Sequence, residues 1–183
     1  MNVEKYYRAA LLVDGDSFVR FFQEIEFRNG VLLQPNPRAL FEIVSEIMKE
    51  GIGELEFLKP IYLFTKDENT HTDSFTSELK EAGFRIHGFQ QEEKKWLWIE
   101  NYLKNFNLNY VRKLVLFSDA FVNHAPTLEW MTWRGVRVHI YASVLTIDTN
   151  DMISDFGHEV CSEKHPLISF KDILVFSHAF GLP

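Results

Sequence analysis

The chain has few of the features that stabilise secreted proteins or anchor membrane proteins. Its 183 residues include one cysteine, Cys161, which excludes an internal disulfide and a cysteine-based zinc cluster. The first residues are polar, unlike the start of a secretory signal. No apolar run reaches the ~20 residues that a membrane-spanning helix needs. These absences predict a protein of the reducing cytoplasm with no membrane segment.

Positive charge is also scarce. The net charge is −7 and the sequence pI is about 5.5, which argues against a general nucleic-acid coat, because such a coat needs a basic surface. A local basic patch remains compatible with this composition, and so does a cluster of carboxylates around a cation. The apolar share of 46% and the charged share of 25% are ordinary for a globular protein, so the length predicts one domain over residues 1–183.

Apolar runs that read as strands alternate with segments of helical periodicity. The predicted strands cover residues 7–13, 57–64, 84–89, 113–117 and 136–141, and the second of them is interrupted at its entry by Pro60. The predicted helices cover 18–27, 38–49, 73–81, 92–106 and 125–133. This alternation predicts an α/β fold with a mainly parallel sheet of about five strands between two helical layers. Two strand orders, 3-2-1-4-5 and 2-1-3-4-5, are compatible with it.

Residues 157–183 are predicted to form a C-terminal extension of this domain. Within it, residues 173–176 are all apolar and include two β-branched residues, which indicates an extra edge strand or a packing arm. Such an arm is also a candidate contact with a second subunit, which makes a homodimer one possible assembly.

Acidic side chains follow the first and the fourth predicted strands. Asp14 and Asp16 come after the first, and Asp119 comes after the fourth, followed by Asn123. In the order 3-2-1-4-5 these strands are neighbours, and their carboxyl ends open on one crevice. Clustered carboxylate and amide oxygens suit Mg²⁺ or Mn²⁺. Asp14, Asp119 and Asn123 are therefore candidate metal ligands, and Asp16 joins them as a catalytic candidate.

A structural interpretation of the same residues stays open. Asp16 or Ser17 could cap the helix after the first strand, and Asn123 could cap the helix near residue 125. His124 is more often a packing or surface histidine than a ligand. Asp14 and Asp119 are harder to explain in this way, because neither is needed as a cap if Asp16 and Asn123 serve.

The order of these motifs resembles that of the NYN domain, a branch of the PIN-like nuclease superfamily. The resemblance runs from about residue 7 to 156, through Leu12-Val13-Asp14-Gly15-Asp16-Ser17-Phe18, Phe117-Ser118-Asp119, Pro126-Thr127-Leu128 and Gly135-Val136-Arg137-Val138. It implies a PIN-like fold with strand order 3-2-1-4-5. It further implies a metal-dependent ribonuclease that uses Mg²⁺ or Mn²⁺ and cleaves single-stranded RNA. The positions that correspond to the site or lie beside it add Ser17, Ser118, Lys94, Lys95, Glu100 and His124 as substrate-binding candidates.

Two positions depart from the family pattern. Asn123 stands where the family has an acid, and Trp98 stands at the position of another acid. Glu92, Glu93 or Glu100 could substitute for that second acid. These departures support an alternative, a catalytically inactive PIN-like module that binds RNA or a protein. Metal on Asp14 and Asp119 would favour the nuclease, whereas an ion pair with lysine or arginine in the crevice would favour the inactive module.

Two further alternatives concern aromatic residues and a different enzyme class. Trp96, Trp98 and Tyr102 could stack on unpaired bases, although their helical spacing favours packing on the sheet. The Asp14-Gly15-Asp16 sequence also resembles the loop of haloacid dehalogenase phosphatases, in which Thr65 would take a further role. The chain enters a helix directly after this loop, which leaves little room for the flap of that family.

Overall fold

The computed structural model describes residues 8–30, 37–49, 56–66 and 71–180, and residues 1–7 and 181–183 lie outside these ranges. Strands and helices alternate along most of the chain. The strands are β1 Arg8–Asp14, β2 Glu56–Phe57, β3 Ile61–Thr65, β4 Arg85–Phe89, β5 Val111–Phe117, β6 Arg137–Ala142 and β7 Ile168–Asp172. The helices are α1 Gly15–Asn29, α2 Pro37–Lys49, α3 Asp73–Glu81, α4 Glu92–Lys104, α5 Ala125–Trp133, α6 Thr149–Ile153 and α7 Asp155–Cys161, with 3₁₀ segments at Phe121–His124 and Ile173–Phe180.

The described strands form one parallel sheet in the order β4-β3-β1-β5-β6-β7, and β2 pairs with the start of β1. The predicted α/β sandwich is confirmed. The five predicted strands lie in the order 3-2-1-4-5, but the strand count differs in two places. The strand predicted over 57–64 is interrupted at Pro60 as expected, because proline has no N–H to donate to a sheet, and the part before the interruption forms the separate strand β2. A sixth strand in the main order, β7, forms the edge beside β6.

In the described part of the C-terminal extension, the predicted edge strand is wrong for residues 173–176, but this segment packs on the core. The edge strand is Ile168–Asp172, and the apolar segment after it, where a strand or arm was predicted, forms the 3₁₀ segment Ile173–Phe180. Phe176 packs on Tyr141 of β6 with ring centroids 5.8 Å apart. This extension therefore contributes a strand to the main sheet.

Buried side chains lie on both faces of the sheet, as expected for parallel strands covered by two helical layers. One cluster joins β1, β3 and β5 to α1, α2 and α3, with Phe18, Phe22 and Leu40 fully buried. The other joins β5 and β6 to α4 and α5, with Leu116 and Met131 at its centre. Of the helices described, none is both long enough and apolar enough to cross a membrane.

The helix that follows β1 begins at Gly15, two residues before the earliest start that its predicted caps Asp16 and Ser17 allow. Asp14 itself is the N-cap of α1, and its carboxylate accepts a hydrogen bond from the Asp16 N–H at 3.2 Å. At the other end, Gly30 closes α1 in the left-handed conformation with φ 64°. Asn123 does not cap α5, because it lies inside the preceding 3₁₀ segment.

Candidate functional site

The carboxyl ends of β1 and β5 bring Asp14 and Asp119 together, as the sequence predicts. Both side chains are buried, with 1% and 5% of their surface exposed. The Ser17 hydroxyl links them, since its oxygen lies 2.8 Å from Asp14 Oδ2 and 2.6 Å from Asp119 Oδ1. Ser118 adds a hydroxyl 3.2 Å from Asp14 Oδ2. The two acids, distant in the sequence, thus belong to one hydrogen-bonded centre.

Lys95 occupies the inner side of this centre. It enters from the first turn of α4, and none of its side chain is exposed. Its ammonium lies 2.7 Å from Asp14 Oδ1 and 2.5 Å from Asp16 Oδ2. Lys95 was predicted to contact a substrate phosphate, but in the structure it forms a buried ion pair with two carboxylates.

Asp16 is held from the other side by β3. The Thr65 N–H lies 3.0 Å and 3.1 Å from the two Asp16 oxygens, and the Thr65 hydroxyl donates to Oδ2 at 2.7 Å. Burial alone would raise the pKa of Asp16, but the charge and hydrogen bond of Lys95, with those of Thr65, lower it below its ordinary value of 3.8. Asp16 is therefore a stable anion in the folded protein.

Arg20 pairs with Asp119 at the outer side of the centre, and the sequence reasoning did not identify it. Its Nε lies 3.0 Å from Asp119 Oδ2, and its Nη2 lies 2.6 Å from Oδ1, which is a two-pronged ion pair. Burial opposes the charge of Arg20, but the hydrogen bonds and the charge of Asp119 hold its pKa above the ordinary value. The signal was available, because Arg20 lies one helical turn after Ser17 on α1.

The same interactions determine the protonation of Lys95. Burial by itself would lower the pKa of this lysine, whereas the nearby charges of Asp14 and Asp16 raise it above the ordinary value of 10.5. The ammonium therefore stays protonated at neutral pH. Three carboxylates and two cations form a nearly neutral network.

A second polar group lies beside this network. His124 is 1% exposed, and its Nδ1 is 2.9 Å from Glu100 Oε1. Thr127 donates to the other Glu100 oxygen, and the Lys104 ammonium lies 3.3 Å from it. Burial lowers the pKa of His124 more than Glu100 raises it, so this histidine is neutral at neutral pH. Its Nε2 is buried with no hydrogen-bond partner among the described residues.

Asn123 does not join the aspartates in the structure. Its side chain is exposed and lines an open hollow of about 480 Å³ together with Glu100, Lys104, Pro126, Thr127 and Trp130. The Trp130 side chain is 38% exposed there. Lys94 is also exposed. Apart from the exposed Lys94, the predicted site residues therefore lie in the buried aspartate network or in and beside this hollow.

The aromatic residues of α4 pack mainly against each other and the sheet. Trp98 stacks on Tyr102 with ring centroids 5.0 Å apart and planes 10° apart, and it lies 4.7 Å from the His87 ring. Both aromatic rings border the second core cluster. The packing interpretation of these residues agrees with this arrangement.

In this arrangement the aspartate oxygens do not fit a divalent metal. Both Asp16 oxygens and Asp14 Oδ1 accept from Lys95 or backbone N–H groups, and both Asp119 oxygens accept from Arg20. Within residues 8–30, 37–49, 56–66 and 71–180, no group of three or more His, Cys, Asp or Glu side chains has a geometry that could hold a metal ion. A metal on these ligands would have to displace a buried ammonium or a paired guanidinium.

The comparisons with known proteins find a similar fold but identify no function. No family model matches the sequence, and no curated protein matches it. Among solved structures, a protein of unknown function from Vibrio parahaemolyticus is similar, with a TM-score of 0.60 and 13% identity over 94% of this chain and 96% of that one. At this identity the similarity shows a shared fold alone.

Proposed function

We propose that this chain is a catalytically inactive PIN-like module of the cytoplasm, related to the NYN ribonucleases, that binds single-stranded RNA without cleaving it. The observation that carries the proposal is the Lys95 ammonium, buried between Asp14 and Asp16 where a nuclease would need a metal. The loss of acids at positions 98 and 123 points the same way.

The cationic side chains of the network supply the positive charge that a metal ion would otherwise bring to the carboxylates. Clustered carboxylates repel one another unless a positive charge lies between them. Lys95 supplies that charge to Asp14 and Asp16, and Arg20 supplies it to Asp119. An ammonium has no open coordination position and cannot activate a bound water as a metal does. The network therefore stabilises the fold at the mouth of the sheet.

The hollow beside the network supports RNA as the partner. A volume of about 480 Å³ lies within the usual range for a small-molecule or base-sized ligand. Trp130 offers an exposed aromatic surface, Asn123 offers an amide with two donors and an acceptor, and Lys104 offers positive charge. This combination suits an unpaired base, which proteins recognise by stacking and by contacts to its edge.

The decisive experiment compares the unaltered protein with Lys95→Met, using Lys94→Met as the matched control on the exposed neighbour. We expect no Mn²⁺ binding by electron paramagnetic resonance and no RNA cleavage from the unaltered protein or Lys94→Met. Lys95→Met should gain Mn²⁺ binding, because two buried carboxylates then lack a cation. Cleavage of RNA by the unaltered protein with Mn²⁺, lost in Asp119→Asn, would overturn the proposal, and this result does not require the Lys95 variant to fold.

The second candidate function is a Mg²⁺- or Mn²⁺-dependent endoribonuclease. It is favoured by one observation, the convergence of three aspartates at adjacent strand ends. Arg20 is 40% exposed, and in this alternative it would turn from Asp119 towards a phosphate. The cleavage assay above distinguishes the two functions, because the enzyme requires the activity to depend on metal and to disappear in Asp14→Asn or Asp119→Asn. A phosphatase has less support, because Asp14 is buried and α1 begins directly after it.

A further inference from the structure

Strands β5, β6 and β7 present a row of basic side chains on one face of the sheet. Lys113 of β5 lies directly beside Arg137 of β6 in the register of the two strands, and His139 lies beside Ser169 of β7. Alternation along a strand places Lys113, Arg137, His139 and Lys171 on one face. Their apolar neighbours, such as Leu114 and Val138, point to the opposite face, into the second core cluster. We call these four residues the basic face.

The basic face is open to solvent in its described surroundings. Arg137 and Lys171 are exposed, and Lys113 and His139 are partly exposed. Arg137, His139 and Lys171 line an open hollow of about 450 Å³, together with Ser169, His165 and Glu163. Arg137 begins β6 at the opposite end of the sheet from Asp119, whereas Lys171 pairs with Tyr141 near the carboxyl ends of the strands, so the hollow extends along β7.

The electrostatics of this face favour an anion. Burial lowers the pKa of Lys113, and the positive charges of Arg137 and Lys171 lower it further. Burial lowers the pKa of His139, and the positive charges of Lys113, Lys171 and Arg137 lower it further, to about 4. The imidazole is therefore neutral at neutral pH. Neighbouring cations that lower each other's pKa lie in a region of positive electrostatic potential. This region stands out in a chain whose net charge is −7.

His139 adds a buried polar atom without a partner. Its Nδ1 lies 2.6 Å from the Ser169 hydroxyl, whereas Nε2 is buried and has no hydrogen-bond partner among the described residues. When Ser169 donates to Nδ1, the neutral ring carries its proton on Nε2. That N–H group has no acceptor among the described residues, and three cationic side chains lie near it.

Protection of the sheet edge accounts for only part of this pattern. Charged residues on an edge strand prevent edge-to-edge association, and this explains Lys171 on β7. It does not explain Lys113, which lies two strands inside the edge. Strand geometry places Arg137 roughly 14 Å from Lys171, from four residues along a strand and one strand across. The span suits a chain of phosphates better than a single phosphate group.

We propose that the basic face binds the phosphate backbone of single-stranded RNA. The proposal rests on the RNA-binding function proposed above and adds the surface that holds the backbone. Phosphate contacts supply affinity that depends on salt and carry no sequence information. Binding at this face is therefore expected to tolerate different RNA sequences.

The test measures fluorescence anisotropy of a labelled single-stranded RNA against the full chain over a range of salt concentrations. The variant Lys113→Gln/Arg137→Gln removes two charges from the basic face, and Arg38→Gln/Lys80→Gln removes two exposed charges from α2 and α3. We expect binding to weaken about tenfold at low salt in the first variant. The negative slope of log affinity against log salt should become shallower by about 1.4. The control variant should bind within about twofold of the unaltered protein.

Two further variants separate charge from shape and this proposal from the previous one. Lys113→Arg/Arg137→Lys keeps both charges and should keep the salt slope, whereas Trp130→Ala tests the hollow near His124. RNA binding that is equally strong in Lys113→Gln/Arg137→Gln and in its control would overturn the basic face and leave the RNA-binding function in place. An unaltered protein that binds no RNA would overturn the RNA-binding function and this proposal with it. Thermal unfolding of each variant establishes that it is folded.

Discussion

At the scale of single residues, Lys95 determines the chemistry of the aspartate centre. A lysine with no exposed surface is rare, because the loss of hydration is repaid only by close opposite charges and hydrogen bonds. Asp14 and Asp16 provide both within 2.7 Å. Removal of the ammonium would leave two buried anions uncompensated, a change of the kind that destabilises proteins by about 3–5 kcal/mol. Lys95 is therefore expected to stabilise the folded protein as well as to define the site.

The lowered pKa of Asp16 predicts a specific dependence of stability on pH. Because folding lowers this pKa below 3.8, the ionised carboxylate stabilises the folded state fully above that pH. The contribution is lost as the pH falls through the folded-state pKa. Asp16→Asn should therefore lower the free energy of unfolding at pH 7 by about 1.5–3 kcal/mol, and by clearly less at pH 3.

Urea unfolding at the two pH values measures this effect. Glu81→Gln, at an exposed position at the end of α3, serves as the control and should change stability little at either pH. A penalty for Asp16→Asn that is equally large at pH 3 would show that the ion pair is not its source.

At the scale of elements, the turn from β1 to α1 depends on Gly15. A Cβ on this residue would lie 2.4 Å from Cζ of Tyr62, which is fully buried in β3. The Tyr62 hydroxyl in turn lies 3.1 Å from His71 Nε2, so the ring is held in place. The glycine of the Asp14-Gly15-Asp16 sequence is needed for this close approach of helix and strand.

Gly15→Ala is therefore expected to destabilise the protein by about 1–3 kcal/mol, the usual cost of overpacking. Chemical denaturation measures the loss. In a Tyr62→Leu background the penalty should become smaller, because the leucine side chain leaves more room for the new methyl group. An undiminished penalty in that background would assign the cost to the helix backbone rather than to the Tyr62 ring.

At the scale of the whole molecule, the strand order separates the charged groups. The carboxyl ends of β1 and β5 hold the aspartate network, whereas the basic face lies along β5, β6 and β7, from Arg137 at the start of β6 to Lys171 near the end of β7. The proposed functions use this separation, since a compensated network needs no metal and the basic face remains available to an anion.

A global measurement follows from the compensated network. A ligand present at 100 times its dissociation constant stabilises a protein by about 2.7 kcal/mol, which raises Tm by roughly 5–10 °C for a chain of this size. We expect 1 mM MnCl₂ or MgCl₂ to leave Tm unchanged within about 1 °C, with CaCl₂ as the control for ionic effects. A rise confined to MnCl₂ and MgCl₂ and lost in Asp14→Asn would indicate a metal site at the aspartates.

The sequence by itself determined the α/β class and placed Asp14 and Asp119 after two strands, but it left two strand orders open, and the structure decided between them. Buried parallel strands read as continuous apolar runs and helices as a 3.6-residue period, and both signals are local. Once the strand order is known, residues at neighbouring carboxyl ends must meet. The same local signals located α3 and α5 with the bounds that the structure has.

Only the tertiary structure decided what the two aspartates contact. Lys95 is 81 residues from Asp14 along the chain, and its neighbour Lys94 points to solvent although both are lysines of one helical turn. Which of them is buried depends on the rotation of α4 against β1 and β3. The edge strand β7 likewise depended on pairing with a distant strand. Long, flexible side chains and edge pairings take their partners from the assembled fold, so local sequence patterns could not specify them.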